Sequence, residues 1–156
     1  IAGCYITEGE IVFDEVITGF RVSSGGAQKR YGVTPDMTTM GKIIGGGFAA
    51  GAFMGKKRIM ENVAPQGGIY VAGTLAGNPV SAAAGLAQID LMCSGDNYSK
   101  VEKRTQALVG SIRDSMADNG VKGCVNNVAS MFSIRKPSSA SICPAFCKSM
   151  SESAPL

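Results

Sequence analysis

Lys42 is the first residue whose surroundings suggest covalent chemistry. It follows a short apolar stretch and precedes Ile43-Ile44-Gly45-Gly46-Gly47, and no acidic residue lies within five positions on either side. An amine held among apolar residues and glycines loses part of its hydration and becomes a nucleophile toward carbonyl carbons. The alternative is a surface lysine in a flexible loop, which is the more common environment for a lysine considered alone.

Asp14 is the second such residue, because the apolar residues Ile11-Val12-Phe13 come directly before it. A carboxylate at the end of a buried strand needs a cationic partner or several hydrogen-bond donors. The protonated nitrogen of a pyridine ring is a suitable partner, and the pairing would keep an electron-withdrawing ring in its reactive form. An ion pair with Arg21 or a helix cap explains Asp14 equally well.

A third segment, Gly73-Thr74-Leu75-Ala76-Gly77-Asn78-Pro79, has the composition of a turn that leads into a helix. Asparagine is a strong N-cap residue, and proline suits the first helical position. The unpaired N–H groups of such a turn, the threonine hydroxyl and the positive end of the helix dipole together suit a phosphate group. An ordinary capped turn is the simpler alternative. The glycines at 45–47 lack the spacing of a P-loop or a dinucleotide-binding fingerprint.

The composition excludes several other chemistries. The 156 residues contain no histidine, which removes imidazole bases, histidine-ligated zinc and histidine-containing triads. The absence of tryptophan, an aromatic content of 6% and a net charge of +3 argue against a nucleic-acid partner. The five cysteines are predicted to be free thiols, and Cys143 with Cys147 does not complete a metal site. No apolar run reaches the roughly 20 residues that a membrane helix needs.

The elements that position these residues are predicted from periodicity and turn residues. We expect strands at 11–13, 37–40, 50–54 and 128–134, an extended segment at 69–72, a short polar helix at 56–61, and helices from Pro79 to about Met92 and from Tyr98 to Met116. This order indicates an α/β domain with a mainly parallel sheet, in which ligands bind at the carboxyl ends of strands. Asp14, Lys42 and Gly73-Thr74 all fall at predicted strand ends.

The order of these motifs resembles one known family. The matching segments are Ile11 to Val22, Gly26 to Gln28, Tyr31 to Asp36, Thr38 to Gly47, Ile59 to Pro65, Tyr70 to Pro79, Val125-Asn126 and Ala129 to Phe132. Together they resemble the class III, pyridoxal-phosphate-dependent aminotransferases of fold type I, over roughly residues 10–134. The resemblance implies that the chain is the central part of the large domain of such an enzyme, an α/β fold with a mainly parallel sheet and flanking helices.

Carried over to this sequence, the resemblance implies a role for five residues. Lys42 would be the catalytic residue, binding pyridoxal 5'-phosphate covalently through its amine and later moving protons. Asp14 would pair with the pyridine nitrogen, and Val16 would pack on one face of the ring. Gly73 and Thr74 would bind the phosphate of the cofactor in the neighbouring subunit, so that a homodimer would share its active sites.

The resemblance also implies a reaction. Gly73-Thr74-Leu75-Ala76-Gly77-Asn78-Pro79 has no aromatic residue after the threonine, which resembles the aminomutase branch of the family. That branch moves an amino group within one small amino-aldehyde substrate and converts glutamate-1-semialdehyde to 5-aminolevulinate in tetrapyrrole (porphyrin) biosynthesis. Two alternatives stay open: a fragment of another class III enzyme, such as an ω-amino acid transaminase, and a non-catalytic remnant that serves as a dimerising or structural piece.

The resemblance further implies that the chain is a fragment with little turnover of its own. Enzymes of the family are much longer, and their residues that stack on the second ring face, gate the site and bind substrate have no counterpart here. We expect a partial cofactor-binding large domain over 1–135, family-like from about residue 10, and a divergent, poorly ordered Ser-rich tail over 136–156. Glu15 and Arg21 would support the strand end. The expected location is cytoplasmic, or the plastid stroma in a plant or alga, with neither nucleic acid nor membrane as a partner.

Overall fold

A four-stranded sheet organises the first of two compact units, Ile1–Tyr98 and Ser99–Leu156. The computed structural model describes residues 3–7 and 9–136, so the predictions for residues 137–156, including Cys143 and Cys147, lie outside the described residues. The strands of the first unit are β1 (Gly3–Thr7), β2 (Glu10–Glu15), β3 (Met37–Met40) and β4 (Ala52–Gly55), and they lie in that order across the sheet.

The sheet is mixed, whereas the sequence predicted a mainly parallel one. β2 and β3 are parallel, but β1 pairs with β2 and β3 pairs with β4 in antiparallel fashion. The connections explain the difference, since a parallel pair needs a crossover of a dozen or more residues. The segment between β2 and β3 is long enough to contain a helix, whereas only two positions separate the end of β1 from the start of β2.

The first unit also contains helices and a 3-10 turn. The helices are α1 (Gly26–Tyr31), α2 (Lys57–Met60) and α3 (Pro79–Cys93), and the 3-10 turn spans Lys42–Gly45. The side chain of Asn78 accepts hydrogen bonds from the N–H groups of Val80 (2.9 Å) and Ser81 (3.3 Å), which confirms the predicted N-cap of α3.

A group of charged residues joins the amino-terminal ends of β2 and β3. Asp36, directly before β3, accepts a hydrogen bond from the N–H of Ile11 (2.8 Å) and pairs with the Lys56 amine (2.6 Å). Arg58 of α2 forms an ion pair with Glu10. The hydrogen bonds from Ile11 and Lys56 hold the pKa of the Asp36 carboxyl below its ordinary value, and the Glu10 carboxylate raises the pKa of Arg58.

The second unit contains most of α4 (Asn97–Asp118) and a hairpin of β5 (Cys124–Val128) and β6 (Met131–Arg135). The prediction of one strand over 128–134 was wrong, because a turn with Ala129 at a φ of 49° divides that stretch. The Arg113 guanidinium donates a hydrogen bond to the carbonyl of Val125 (2.6 Å) and so connects α4 to β5. Among the described residues, no helix combines the length and the apolar character that crossing a membrane requires.

Candidate active site

The parallel pairing of β2 and β3 determines where the candidate residues lie. Asp14 is opposite Thr39 in the register, and Glu15 is opposite Met40, the last residue of β3. Lys42 follows two positions after Met40, at the start of the 3-10 turn. Because parallel strands end at the same edge of a sheet, the structure brings Asp14 and the turn that carries Lys42 to one edge.

Asp14 is held by one of its two carboxylate oxygens. Its Oδ1 accepts hydrogen bonds from the N–H of Val16 (3.0 Å) and from the hydroxyl of Thr39 (3.4 Å). Within the described part of the chain, Oδ2 has no hydrogen-bond partner. The Arg21 guanidinium, which the sequence offered as a partner for Asp14, donates a hydrogen bond to the carbonyl of Ile17 (3.1 Å). The half-buried carboxylate therefore has one oxygen available to a further donor.

Glu15 lies on the opposite face of the sheet, and both of its carboxylate oxygens accept hydrogen bonds within the protein. It is fully buried (0% exposed), and its carboxylate accepts from the Thr18 hydroxyl (2.6 Å) and from the N–H groups of Ala27 (2.8 Å) and Gln28 (2.9 Å). These bonds connect the end of β2 to the first turn of α1. Gly26 has a φ of 66°, and a Cβ there would collide with the Glu15 carboxylate. The structural role expected for Glu15 agrees with these contacts.

Lys42 has an unusual backbone. Its φ of 48° lies in the left-handed region, which is sparsely populated by residues other than glycine, and such strain is concentrated at functional positions in proteins. The Lys42 side chain is exposed, contrary to the apolar enclosure expected from the sequence.

Val16 lies beside the Lys42 turn. A Cβ placed on Gly41 would be 3.2 Å from Cγ1 of Val16, so the valine packs closely on the residue before Lys42. The half-buried side chain of Val16 therefore lies between the end of β2 and the 3-10 turn. The structure thus groups Asp14, Val16 and Lys42 at one edge of the sheet.

The 3-10 turn packs on α3 through small residues. A Cβ on Gly85 would collide with the carbonyl oxygen of Ile44, and a Cβ on Gly46 would collide with the carbonyl of Ala84. Both glycines permit an approach that no larger residue would allow, and Gly46 also has a φ of 57°. α3 therefore fixes the position of the turn that begins with Lys42.

Gly73 and Thr74 are placed differently. Both are exposed: Gly73 directly precedes the turn Thr74–Gly77, and Thr74 is its first residue, ahead of the capped N-terminus of α3. Within the described residues, their N–H groups donate no backbone hydrogen bond, and neither residue is hydrogen-bonded to Asp14 or Lys42. Their predicted ligand, a cofactor phosphate of a neighbouring subunit, stays a prediction.

The chemistry of the grouped residues fits pyridoxal phosphate. A carboxylate with one oxygen that no described residue binds suits a pyridinium N–H, an exposed amine suits an aldehyde carbon, and the apolar Val16 beside the Lys42 turn suits a ring face. Sequence reasoning missed Thr39, although its position three residues before Lys42 in a strand parallel to β2 was a usable signal.

Comparison with known proteins agrees with this chemistry. The family model described as "Aminotransferase class-III" matches residues 4–153, a wider range than the roughly 10–134 expected from the motifs. The chain belongs to the class-III aminotransferases. Their cofactor is pyridoxal phosphate, as expected, and the predicted fold-type I family is confirmed.

Individual relatives of this class-III chain have two kinds of names. The glutamate-1-semialdehyde 2,1-aminomutase of Desulfovibrio desulfuricans is 54% identical over 129 residues, which cover 83% of this chain and 30% of the relative. An omega-transaminase from Sphaerobacter thermophilus has a solved structure with a TM-score of 0.71 and 37% identity, covering 81% of this chain and 29% of that one. A solved "transaminase with PLP bound" has a TM-score of 0.73 and 28% identity, covering 83% and 31%. The chain thus spans less than a third of the curated relatives that it matches.

Proposed function

We propose that this chain carries the cofactor-binding centre of an enzyme that converts glutamate-1-semialdehyde to 5-aminolevulinate by moving an amino group within the substrate. The single observation that carries the chemistry is the grouping of Asp14, Val16 and Lys42 at the β2–β3 edge. The relatives named aminomutases, 52% and 54% identical, support the choice of reaction. Its place would be tetrapyrrole biosynthesis, in the cytoplasm or, in a plant or alga, the plastid stroma.

Each residue at the edge has one task in this proposal. Pyridoxal phosphate supplies an electron sink that stabilises negative charge on a carbon next to the reacting nitrogen. The Lys42 amine binds the cofactor covalently. When the amine is free of the cofactor, it moves a proton to or from the substrate carbon. Oδ2 of Asp14 accepts a hydrogen bond from the ring N–H and keeps that nitrogen protonated. Val16 packs on one ring face and excludes water from it.

The proposal includes a homodimer in which Gly73 and Thr74 bind the partner's cofactor phosphate. The residues before and within α3 support it, because several large apolar side chains there are exposed. Tyr70 is 82% exposed, and Leu86 and Leu91 on α3 are 62% and 60% exposed. Exposed large apolar side chains such as these would be covered in a protein–protein contact. We also propose that the chain alone has little turnover, since it spans less than a third of its relatives.

Cofactor labelling tests the site. The chain is incubated with pyridoxal phosphate and reduced with borohydride, and the modified peptides are mapped by mass spectrometry. We expect labelling confined to Lys42 and abolished by Lys42→Ala, while Lys29→Ala, which removes an exposed lysine of α1, leaves the labelling unchanged. Scattered labelling of surface lysines would contradict the proposal and favour a non-catalytic remnant.

A chimera tests the reaction. Residues 4–135 replace the corresponding segment of the Desulfovibrio desulfuricans relative, and the chimera is assayed for 5-aminolevulinate formation and for transamination that depends on 2-oxoglutarate. We expect the first activity and not the second. The reverse result would support the alternative of an ω-amino acid transaminase. The structural similarity to the Sphaerobacter thermophilus enzyme is the observation in favour of that alternative. Substantial turnover by the unsupplemented chain would contradict the expected inactivity of the fragment.

A further inference from the structure

We propose that Thr39 is a positioning residue that orients the Asp14 carboxylate toward the cofactor ring. This inference rests on the proposed function, because it assumes that Asp14 receives the ring N–H. Two observations carry it: the strand register places Thr39 directly opposite Asp14, and the Thr39 hydroxyl donates a hydrogen bond to Oδ1 of Asp14 (3.4 Å).

The two donors to Asp14 come from different elements. The N–H of Val16 is two residues from Asp14 on the same stretch of chain. Its hydrogen bond therefore fixes the carboxylate relative to the end of β2 but not relative to β3. The Thr39 hydroxyl lies on the neighbouring strand and fixes Oδ1 relative to β3, the strand that leads to Lys42. Both donors use Oδ1, and Oδ2 is the oxygen left for the ring. Thr39 thereby sets the orientation of the acid relative to the lysine.

The length of the Thr39 bond is compatible with this role. Hydrogen bonds at catalytic sites are often long before the ligand binds and become shorter in the complex. Thr39 is half-buried, so water competes only partly for the carboxylate. Loss of the hydroxyl should therefore be measurable in cofactor binding.

Thr38 provides a matched control on the same strand. It is buried on the other face of the sheet, where its hydroxyl accepts a hydrogen bond from the side-chain amide of Gln28 (3.0 Å). Thr38→Val and Thr39→Val make the same chemical change at adjacent positions of β3. A purely structural effect of losing a threonine hydroxyl should appear in both variants.

The test measures the Kd for pyridoxal phosphate from the absorbance of the cofactor during titration of the chain. We expect Thr39→Val to raise the Kd about tenfold, Thr39→Ser to stay within about twofold of the unmodified chain, and Thr38→Val to leave the Kd unchanged. In an Asp14→Ala background, Thr39→Val should have no further effect, because Thr39 acts through Asp14.

Three results would overturn the inference. An unchanged Kd in Thr39→Val, or an equal loss in Thr38→Val, would show that the hydroxyl has no specific role in binding. A tenfold loss that persists in the Asp14→Ala background would show that Thr39 acts independently of the acid. Failure of the unmodified chain to bind pyridoxal phosphate is distinguishable from all of these, and it would overturn the proposed function together with this inference.

Discussion

Gly85 lies directly against the carbonyl oxygen of Ile44, so that α3 contacts the backbone of the 3-10 turn with no side chain between them. The contact connects the middle of α3 to a residue two positions after Lys42. The conformation of the Lys42 backbone, with its positive φ, therefore depends on the close packing of α3 as well as on the local sequence.

The first prediction concerns this contact. Gly85→Ala should destabilise the chain by about 1–3 kcal/mol, since the added methyl group has to displace the turn, and it should slow cofactor labelling of Lys42. Urea unfolding and timed borohydride trapping measure the two effects. Gly110→Ala in α4 is the control, because a Cβ there meets no atom within 4 Å. It should be neutral or stabilising by up to about 1 kcal/mol, and a similar gain at position 85 would contradict the prediction.

The second prediction concerns the buried acid. Glu15→Gln should lower the free energy of unfolding by about 2–4 kcal/mol, because an amide cannot accept from all three donors and places its own N–H groups against them. Glu61→Gln is the matched control, since the Glu61 side chain is exposed and pairs with the exposed Lys57 amine (3.5 Å). It should cost less than about 0.5 kcal/mol in the same urea titration. Equal costs at the two positions would refute the structural role of Glu15.

The third prediction concerns acid stability. The folded chain lowers the pKa of Asp36, so the stabilisation is present above the ordinary pKa of the carboxyl and is lost as the pH falls through the lowered value. Melting temperatures measured from about pH 5 downward should therefore fall less steeply in Asp36→Asn than in the unmodified chain. Asp114→Asn, at an exposed position of α4, should retain the original slope. If the melting temperature of Asp36→Asn fell with pH as steeply as that of the unmodified chain, the Asp36 contacts would not be a source of the acid sensitivity.

The fourth prediction concerns Tyr98, whose hydroxyl donates to the carbonyl of Phe20 (2.9 Å), a residue with a φ of 53°. Burial and the neighbouring Cys93 thiol raise the pKa of Tyr98 to about 12. Its contribution to stability is therefore complete below the ordinary value of about 10 and is lost as the pH rises toward the folded value. Tyr98→Phe should cost about 1 kcal/mol at neutral pH and reduce the alkaline loss.

The control for this prediction is Tyr70→Phe, because Tyr70 is 82% exposed. That change should alter the free energy of unfolding by less than about 0.5 kcal/mol. Guanidinium unfolding at neutral pH and at about pH 11 compares the three proteins. An alkaline loss of the same size in Tyr98→Phe and in the unmodified chain would rule out Tyr98 as its source.

Local signals in the sequence predicted much of the site. The apolar run ending at Asp14 is the end of β2, Met37–Met40 is β3 as expected, and Asn78-Pro79 begins α3. In each case the information lies in neighbouring residues: a change from apolar to acidic residues, or a capping residue followed by proline. Motifs of this kind also carried the resemblance to the class-III family, which the comparisons confirmed.

Features that depend on contacts between distant residues were missed. β1 has consecutive rather than alternating apolar residues, and Tyr5 and Ile6 are exposed on it, so its periodicity gave no signal. The partnership of Thr39 with Asp14 depends on the register of two strands that are 25 positions apart. The exposure of Lys42 was also unpredictable from composition, because apolar neighbours in sequence do not necessarily enclose a side chain.

The division of labour between Asp14 and Glu15 also limits which sequence changes the protein tolerates. Neighbouring residues of a strand point to opposite faces, so a single-residue insertion or deletion within β2 would exchange the faces of the two acids, turning Asp14 toward α1 and Glu15 toward the face that Asp14 now occupies. Related sequences should therefore have β2 strands of the same length. They can differ in length between α1 and β3, where side chains do not alternate between two faces of a sheet.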